Sequence, residues 1–401
     1  MKTMLISGEI SAAADIIKSG GLVAVPTETV YGLACNGLNE AAVKRIYEVK
    51  GRPEIKPLSL MVSDARAMEQ LCRQIPQQAE FLAECFWPGP LTIVLKAKDS
   101  IPEIVRAGGQ TVGLRCPAQQ QTLELLSLAG VPLAAPSANP SGAESPKTAE
   151  AVMSYFDGII DAVIDGGECS LGLESTIIDM SETPYKILRQ GAAAAADIFM
   201  ALCANMTIIG ITGGTGSGKT TALDAITDMG GLVIDCDGVY HELLMNSREM
   251  RSEINRRFPN AIAENSHDTK ALGDIVFNDP QALSDLNGIT HRFVGEEVRR
   301  RLTDHALNGG RLAAIDAIAL IEGGISNICK ATVGIIAPTE SRIQRLMLRE
   351  GISREYAALR IAAQKPNEFF EKECDFTALN DGSIESFYAK CKKIFEDIIG
   401  R

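Results

Sequence analysis

Histidine and tryptophan are scarce in this 401-residue sequence, which contains four histidines and one tryptophan. The histidines, at positions 241, 267, 291 and 305, all lie in the second half of the chain. Imidazole is the side chain whose ordinary pKa suits proton transfer near neutral pH, and it is the commonest metal ligand. Any chemistry in the first half must therefore come from lysine, arginine, hydroxyl groups, carboxylates or the backbone.

Paired cysteines and long apolar segments are also missing. The ten cysteines are scattered and form no CxxC pair, so a disulfide framework is not expected. No apolar run is long enough to span a bilayer, and residues 1–9 become polar too early for a secretory signal. The sequence therefore predicts a soluble, cytoplasmic protein.

A basic excess is absent from both halves. Residues 1–205 contain 16 lysines and arginines against 23 acidic residues, and residues 206–401 contain 23 against 28. A protein that binds nucleic acid non-specifically usually carries a basic face, whereas the net charge here is −12. We expect no strong non-specific binding of nucleic acid, although a local basic groove is compatible with these numbers.

The length and the pattern of the chain predict two α/β domains. A chain of 401 residues is long for one core, and both halves alternate strand-like and helix-like segments. An alanine-rich, helix-like stretch at 192–204 is followed by Met206 and by a strongly β-prone run at 207–212. We place the domains at 1–205 and 206–401, with a short linker between them.

Residues 213–220, GGTGSGKT, form a complete phosphate-binding loop between a β-prone run and a helical pattern. Glycines let backbone N–H groups converge on phosphate at the start of a helix. Lys219 is expected to reach the β- and γ-phosphates of ATP, and the Thr220 hydroxyl to bind Mg²⁺. A plain glycine-rich turn is the alternative. The predicted ATP-binding residues of this segment are Gly214, Gly216, Ser217, Gly218, Lys219, Thr220 and Thr221.

An acidic pair follows the next predicted strand, residues 231–234. Asp235 and Asp237 stand at its carboxyl end, where open α/β sheets place their ligands. A kinase needs a carboxylate near the acceptor hydroxyl, so Asp237 is the candidate catalytic base. The alternative is that both are solvated turn residues.

Three arginines, Arg342, Arg345 and Arg349, recur at helical spacing in the second half. Like charges stacked on one helix face repel each other unless something neutralises them. A triphosphate under a basic lid would do so. The alternative is a solvated face that pairs with Glu340 and Glu350.

Residues from about 206 to 401 resemble the dephospho-CoA kinases. The matching pieces are the phosphate loop, 233–237 (VIDCD), 287–291 (NGITH), 319–322 (ALIE), the arginine-rich lid through Gln364, and Asp375 with 380–383 (NDGS). The resemblance implies a P-loop NTPase fold, a parallel sheet flanked by helices, and transfer of the ATP γ-phosphoryl group to the ribose 3′-hydroxyl of dephospho-CoA.

The same resemblance assigns roles to single residues. Asp237 would be the base, Arg345 and Arg349 the lid arginines, and Asn380 a contact near adenine. The sequence departs from the family pattern at Arg292 and at Ile318, where the family usually has proline. Both departures concern the acceptor side of the site.

The first half contains cations and amides at spacings that suit an anion site. Lys50 and Arg52 flank a glycine just before a proline, and in an extended segment they would point to one side. Ser137 and Asn139 repeat this spacing between two prolines. Arginines at strand ends suit carboxylate or phosphate clamps, and Arg115 is one of them. For each feature the alternative is an ordinary solvated loop or turn.

Residues of about 5–195 resemble the YrdC-type threonylcarbamoyl-AMP synthases. The matching pieces are 26–33 (PTETVYGL), 50–53 (KGRP), 56–58 (KPL), 87–92 (WPGPLT), 113–115 (GLR), 136–142 (PSANPSG), 174–177 (ESTI) and 189–191 (RQG). The resemblance implies a twisted α/β domain that joins L-threonine, bicarbonate and ATP into threonylcarbamoyl-AMP and pyrophosphate. The product feeds the threonylcarbamoyl modification of tRNA adenosine, which requires further partner proteins.

By this resemblance, Lys50 and Arg52 are the catalytic cations of the first half. The residues that would bind ATP and threonine are Thr27, Lys50, Arg52, Lys56, Arg115, Ser137, Asn139, Ser175 and Arg189. The sequence therefore favours a bifunctional enzyme that uses ATP and Mg²⁺. The alternative is a non-catalytic nucleotide- or RNA-binding module fused to a P-loop kinase of another small molecule.

Overall fold

The computed structural model describes residues 2–259, 270–276, 279–318, 320–321 and 323–400. The chain forms two compact units, Met1–Asn205 with Leu307–Gly309, and Met206–Ala306 with Gly310–Arg401. Glu322, which belongs to one of the matching pieces named above, lies outside the described residues. No helix of the described part of the chain is long and apolar enough to cross a membrane.

A mixed ten-stranded sheet forms the centre of the first unit. Its strands are β1 (Met4–Ile6), β2 (Val23–Val25), β3 (Gly32–Asn36), β4 (Ser59–Met61), β5 (Leu91–Lys96), β6 (Thr111–Arg115), β7 (Leu133–Ala134), β8 (Ala162–Ile164), β9 (Thr176–Asp179) and β10 (Lys186–Arg189). They lie side by side in the order β1-β8-β2-β3-β7-β4-β6-β5-β9-β10. Most strands have fully buried residues on consecutive positions, as expected where both faces of a sheet are covered.

Eight helices accompany this sheet in the described part of the first unit. They are α1 (Ser11–Lys18), α2 (Glu40–Lys50), α3 (Ala67–Leu71), α4 (Gln77–Phe86), α5 (Glu103–Arg106), α6 (Gln120–Ala129), α7 (Ala149–Phe156) and α8 (Ala195–Ala204). The α1 and α6 helices pack on β2 and β8 through a core of aliphatic side chains that includes Ile17, Val23 and Leu125. The predicted α/β class is confirmed.

The second unit is a five-stranded sheet in which all neighbouring strands are parallel. The strands are β11 (Thr207–Thr212), β12 (Leu232–Asp235), β13 (Leu312–Asp316), β14 (Ala331–Ile336) and β15 (Phe376–Leu379). Their order is β12-β13-β11-β14-β15, with β11 in the middle. The predicted parallel sheet flanked by helices is confirmed.

The helices of the second unit cover both faces of this sheet and extend beyond it. They are α9 (Lys219–Asp228), α10 (Cys236–Asn246), α11 (Arg248–Arg257), α12 (Lys270–Val276), α13 (Pro280–Leu307), α14 (Thr339–Glu350), α15 (Arg354–Ala362), α16 (Asn367–Glu373) and α17 (Ile384–Gly400). A short 3₁₀ turn spans Ile325–Ile328. The core packs Phe387 and Phe395 of α17 against Ile209 and Ile211 of β11.

One local expectation was wrong, and the turn considered as the alternative for Asp235 and Asp237 is not observed. Lys50 does not lie in an extended segment with Arg52, because it is the last residue of α2 and Gly51 ends that helix in the left-handed region at φ 57°. The acids after β12 do not lie in a turn. Asp235 caps α10, its side chain accepting the Asp237 N–H at 3.0 Å, so Asp237 lies in the first helical turn.

The departure at Arg292 has a structural consequence. A proline in a helix interior removes a backbone donor and breaks or kinks the helix. With arginine there, α13 continues through this position over 28 residues. Arg292 is exposed, pairs with Glu253 and stacks over the Phe293 ring at 4.7 Å.

Candidate functional sites

The phosphate loop of the second unit joins β11 to α9 through glycines that no other residue could replace without strain. Gly213, Gly216 and Gly218 have φ values of 148°, 80° and 106°, which side chains rarely adopt. A Cβ on Gly213 would lie 2.3 Å from the Ile335 carbonyl oxygen, and one on Gly214 would lie 2.1 Å from an Arg342 nitrogen. The loop is therefore held between β14 and α14.

The loop encloses a cavity of about 340 Å³ at the carboxyl edge of the sheet. Its lining contains residues 214–220, Asp316, Arg345 and Arg349. The Lys219 ammonium donates to the Gly213 carbonyl oxygen at 3.3 Å and lies 3.7 Å from a carboxylate oxygen of Asp316. The N–H groups of the loop, the ammonium of Lys219 and the guanidinium groups of Arg345 and Arg349 make this cavity suited to a polyphosphate.

Asp316 was not predicted from the sequence. It is the last residue of β13, the strand beside β11, and the rule that drew attention to Asp235 would also have selected it. Burial raises the pKa of Asp316 to about 6, against the opposing effect of Lys219, and Asp235 and Asp237 raise it further. One carboxylate oxygen of Asp316 is buried without a hydrogen-bond partner among the described residues.

A second, more apolar cavity of about 220 Å³ lies between α10 and α13. It is lined by Cys236, Asp237, Tyr240, Leu286, Asn287, Thr290, His291, Val294, Ala317, Ile318, Gly323 and Ile325. Asp237 is solvent-exposed at the edge of this cavity, and partial desolvation followed by the nearby Asp235 raises its pKa. The departure at Ile318 therefore lines the same cavity as the candidate base, whereas Arg292 does not.

The three arginines of α14 do not share one environment. Arg342 is buried and donates to the Thr215 carbonyl oxygen at 2.9 Å, behind the loop. Arg345 donates to the Gly216 carbonyl oxygen at 3.1 Å and lines the cavity. Arg349 lines the cavity but is exposed and pairs with Glu350 at 2.6 Å. The spacing predicted a single basic face, but Arg342 supports the loop from behind, whereas Arg345 and Arg349 line the cavity.

Asn380 lies behind the loop. Its side chain is buried, donates to the Ser217 carbonyl oxygen at 2.9 Å and accepts from Arg345 at 3.1 Å. It is not among the residues that line the phosphate cavity. Both polar ends of the side chain are thus engaged in holding the loop.

The first unit has a cavity of about 160 Å³ across seven neighbouring strands, from β3 to β10 in the sheet order. The predicted residues in its lining are Arg52, Arg115, Ser137, Ser175 and Arg189. The lining residues that the sequence did not single out include Thr29, Tyr31, Ser59, Met61, Thr92 and Glu174. The cavity thus brings together side chains from segments far apart in the sequence.

Each of the three arginines in this cavity is held differently. Arg115 is buried and pairs with Glu28 at 2.7 Å, with side chains 8% and 9% exposed. Arg189 pairs with Glu174 and donates to the Ser175 carbonyl oxygen at 2.8 Å. Arg52 donates to the Pro57 carbonyl oxygen at 3.0 Å and has no ion pair within the described ranges. Arg52 is therefore the cation most available to a bound anion.

Lys50 lies beneath this cavity. Its ammonium donates to the carbonyl oxygens of Ser137 and Asn139. Burial, and then the nearby Arg52, lower the pKa of Lys50 to about 8. The Asn139 amide nitrogen bonds the Ala143 carbonyl oxygen at 2.7 Å, while its buried amide oxygen has no partner in the described part of the chain. Lys50 thus fixes the loop that carries Ser137.

Four predicted residues lie outside the cavity lining: Lys50 and Asn139, described above, and Thr27 and Lys56. Thr27 is buried, and its hydroxyl closes a turn by bonding the Val30 carbonyl oxygen at 2.7 Å. Lys56 is exposed, and its carbonyl oxygen accepts from the Tyr47 hydroxyl at 2.9 Å. The Ser175 hydroxyl, by contrast, faces the cavity within 2.9 Å of the Thr92 hydroxyl.

Comparisons with known proteins give each unit its own relatives. The family model Sua5/yciO/yrdC, described as "Telomere recombination", matches residues 15–191, and the model CoaE, described as "Dephospho-CoA kinase", matches residues 207–386. The chain is 48% identical over 190 residues to a threonylcarbamoyl-AMP synthase of Pyrococcus abyssi, covering 47% of this chain and 56% of that protein.

Two further relatives are covered over most of their length. A putative threonylcarbamoyl-AMP synthase of Methanocaldococcus jannaschii is 38% identical over 175 residues, covering 44% of this chain and 82% of that protein. A dephospho-CoA kinase of Corynebacterium glutamicum is 32% identical over 195 residues, covering 48% of this chain and 100% of that protein.

The coverage differs between the two sets of relatives. The chain spans about half the length of the Pyrococcus synthase and of the similar proteins from Bacillus subtilis and Schizosaccharomyces pombe, from 52% to 56%. Shorter putative synthases are covered over 82% and 86% of their length, and the kinases over 99% and 100%. The chain therefore belongs to two families: its first unit is a member of the Sua5/YciO/YrdC family of threonylcarbamoyl-AMP synthases, and its second unit is a member of the dephospho-CoA kinase family.

Proposed function

We propose that the protein is a bifunctional enzyme. The first unit makes threonylcarbamoyl-AMP and pyrophosphate from L-threonine, bicarbonate and ATP, as a step in threonylcarbamoyl modification of tRNA. The second unit transfers the γ-phosphoryl group of ATP to the ribose 3′-hydroxyl of dephospho-CoA. We place both reactions in the cytoplasm and expect transient contacts with the other proteins of tRNA modification.

The observation that carries the kinase proposal is a pair of cavities that follow the same strand of the parallel sheet, since Asp316 at the end of β13 lines one and the next residue, Ala317, lines the other. Phosphate-binding groups line one cavity, and the carboxylate of Asp237 lines the other. A hydroxyl that enters the second cavity can give its proton to Asp237 while its oxygen attacks the γ-phosphorus. The raised pKa of Asp237 brings it closer to the range in which a carboxylate accepts a proton efficiently.

The residues around the phosphate loop fit Mg²⁺ when it arrives with a nucleotide. Within the described ranges, no group of three or more His, Cys, Asp or Glu side chains could hold a metal by itself. The Thr220 hydroxyl and the Asp316 carboxylate line the same cavity, and one buried oxygen of Asp316 has no hydrogen-bond partner among the described residues. Mg²⁺ prefers oxygen ligands and usually keeps substrate phosphates among them. When bound, it would neutralise phosphate charge at Thr220 and Asp316.

The synthase proposal is supported by a cavity whose lining contains three arginines and no histidine. Threonine carbamate is already a nucleophile, so its attack on the α-phosphorus needs orientation and charge stabilisation more than a base. Arg52, Arg115 and Arg189 face the cavity and can balance the charge that develops as pyrophosphate leaves. Hydroxyl groups of Ser137 and Ser175 lie among them to orient threonine.

Substrate omission on the wild-type protein tests the two activities. We expect AMP and pyrophosphate only when L-threonine, bicarbonate and ATP are all present, and ADP with phosphorylated product only when dephospho-CoA is added. Absence of threonine-dependent AMP, with ATP still bound by the first unit, would favour the non-catalytic binding module.

Acceptor identity is tested separately, because Arg292 and Ile318 depart from the family pattern. A panel of nucleosides, nucleotides and pantetheine derivatives is compared with dephospho-CoA at equal concentration. Faster phosphorylation of any other acceptor would overturn the proposed substrate and keep the kinase class.

A further inference from the structure

Side chains of α14 and of Asn380 bind three consecutive carbonyl oxygens of the phosphate loop. Arg342 donates to the Thr215 carbonyl oxygen at 2.9 Å. Arg345 donates to those of Gly216 at 3.1 Å and Ser217 at 3.3 Å. Asn380 donates to the Ser217 carbonyl oxygen at 2.9 Å. The carbonyls of Thr215 and Ser217 thus point to Arg342 and Asn380, which do not line the phosphate cavity, whereas Arg345 does line it.

Gln364, which follows α15, completes this arrangement. Its amide oxygen accepts from the Thr215 N–H at 2.8 Å and from Arg342 at 2.8 Å. Its amide nitrogen donates to the Thr215 hydroxyl at 2.6 Å. One glutamine at the end of α15 thus hydrogen-bonds both the loop and Arg342 of α14. Arg342 itself is only 3% exposed.

The direction of the carbonyls decides the direction of the neighbouring N–H groups. In a planar trans peptide the C=O of one residue and the N–H of the next point in opposite directions. Carbonyls of Thr215 and Ser217 that point to Arg342 and Asn380 therefore direct the N–H groups of Gly216 and Gly218 toward the cavity. These are the groups that bind phosphate oxygens in such loops.

The fit behind the loop is close enough to require glycine. A Cβ on Gly214 would lie 2.1 Å from an Arg342 nitrogen, and one on Gly218 would lie 2.1 Å from the Asn380 amide nitrogen. Arg342 and Asn380 therefore occupy the space that side chains of the loop would take, and the loop has little room to turn its peptides over.

We propose that Arg342, Gln364 and Asn380 are positioning residues for phosphate binding, which act by fixing the orientation of the loop peptides. None of the three lines the phosphate cavity. The expected role of Arg342 as part of a basic lid is replaced by one behind the loop. The inference rests on the proposed use of ATP by this unit and is independent of the acceptor.

A matched pair of substitutions at Gln364 tests this role. Gln364→Glu can still accept from the Thr215 N–H and from Arg342, whereas Gln364→Leu has a similar volume and can do neither. We expect Gln364→Leu to weaken binding of MgATP to this unit by about 30-fold, the equivalent of one lost charge-assisted hydrogen bond with its neighbour. Gln364→Glu should stay within about threefold of wild type.

The measurement is calorimetric titration of the full-length protein with MgATP, on a background of Arg52→Ala that is intended to weaken nucleotide binding to the first unit. Gln344→Leu, an exposed glutamine on α14, is the control and should bind like the background protein. The expected result is that MgATP binding is retained in Gln364→Glu and weakened in Gln364→Leu. A purely structural role would lower thermal stability in Gln364→Leu and leave the dissociation constant of the folded protein unchanged, and that outcome overturns the proposal.

A second variant covers the case in which Gln364→Leu does not fold. Thr215→Val removes the hydroxyl that Gln364 bonds and leaves the loop backbone intact. We expect MgATP binding to weaken by about fivefold, and unchanged binding would contradict the proposal. A wild-type protein that binds MgATP but does not phosphorylate dephospho-CoA would contradict only the acceptor assignment.

Discussion

The cavities of the two units differ in the groups that they offer to an anion. In the second unit, seven consecutive residues, 214–220, supply most of the lining, and much of it is backbone. In the first unit the lining comes from segments spread between Thr29 and Arg189, and its positive groups are side chains. A backbone site needs glycines and a helix start, whereas a side-chain site needs a whole sheet to assemble it.

The two sites also differ in the cost of burying the groups that would bind an anion. Loop N–H groups are neutral dipoles, so they can be buried at small cost if they are correctly oriented. Cations in the first unit require partners or lose charge: Arg115 is paired with Glu28, and burial lowers the pKa of Lys50 to about 8. The first site should therefore be more sensitive to pH on the alkaline side and to loss of a counter-ion.

Lys219→Ala should produce the largest effect and should act on one unit only. We expect phosphorylation of dephospho-CoA to fall by about 10³-fold, because the substitution removes the ammonium that we propose stabilises the transferred phosphoryl group. Threonine-dependent AMP formation should stay within about twofold of wild type, as expected for sites on separate units. Both rates are measured on the same preparation, with Lys392→Ala on the exposed face of α17 as the control.

Loss of both activities in a folded Lys219→Ala protein would contradict the independence of the two sites. Circular dichroism and gel filtration of the variant decide whether it is folded. The comparison between the units depends on this result, since it assumes that each cavity works by itself.

Arg52→Ala is the reciprocal change in the first unit. We expect threonine-dependent AMP formation to fall by about 10²-fold, less than for Lys219→Ala because Arg115 and Arg189 remain in the cavity. The kinase rate should not change. Arg66→Ala, an arginine with an 86% exposed side chain in the same unit, is the control, and an equal loss in the control would remove Arg52 from its proposed role.

The contrast explains which parts could be predicted from the sequence. The phosphate loop is contiguous, so strand, glycines, lysine and helix are read from one short segment, and the structure places them as expected. The parallel sheet and the α/β class follow in the same way from alternating apolar segments. Asp316 was missed although it ends a strand beside the loop.

The geometry of the first cavity was harder to predict because it depends on contacts between residues that are far apart in the sequence. Nothing local shows that Glu28 pairs with Arg115, or that Lys50 ends a helix and binds the carbonyl oxygens of Ser137 and Asn139. Asn380 and Arg342 show the same limit in the second unit. The spacing of Arg342 and the family resemblance for Asn380 each predicted a ligand contact, and only the packing showed that both side chains lie behind the loop.

Glu28→Ala tests how far the first site depends on its buried counter-ion. Removal of one member of a buried ion pair leaves a charge without compensation, and we expect the free energy of unfolding of this unit to fall by about 3 kcal/mol. Trp87 is the single tryptophan of the chain and belongs to this unit, so its fluorescence follows unfolding of the first unit alone in urea.

An exposed ion pair in the same unit provides the control. Lys96 and Glu182 lie 3.7 Å apart with side chains 38% and 80% exposed. Glu182→Ala should change the free energy of unfolding by less than about 0.5 kcal/mol. Similar losses in both variants would mean that burial does not distinguish the Glu28–Arg115 pair.

The smallest expected effect is a difference in pH dependence between the two activities. Lys50 is charged below its pKa of about 8 and neutral above it, so kcat/KM of the synthase should fall about tenfold between pH 7 and pH 9. Asp316 is ionised above its pKa of about 6, and the pKa of Asp237 is also raised. The kinase kcat/KM should therefore fall about tenfold between pH 7 and pH 5.

Both profiles are measured as kcat/KM because this ratio reports the free enzyme, in which these pKa values apply. Lys50→Arg tests directly whether deprotonation of Lys50 causes the alkaline decline, since a guanidinium stays charged throughout this pH range. If the variant keeps measurable synthase activity, its alkaline decline should disappear while the acidic decline of the kinase stays in place. Identical profiles for the two activities in the wild-type protein would contradict the view that the first site depends on cationic side chains and the second on backbone N–H groups beside carboxylates.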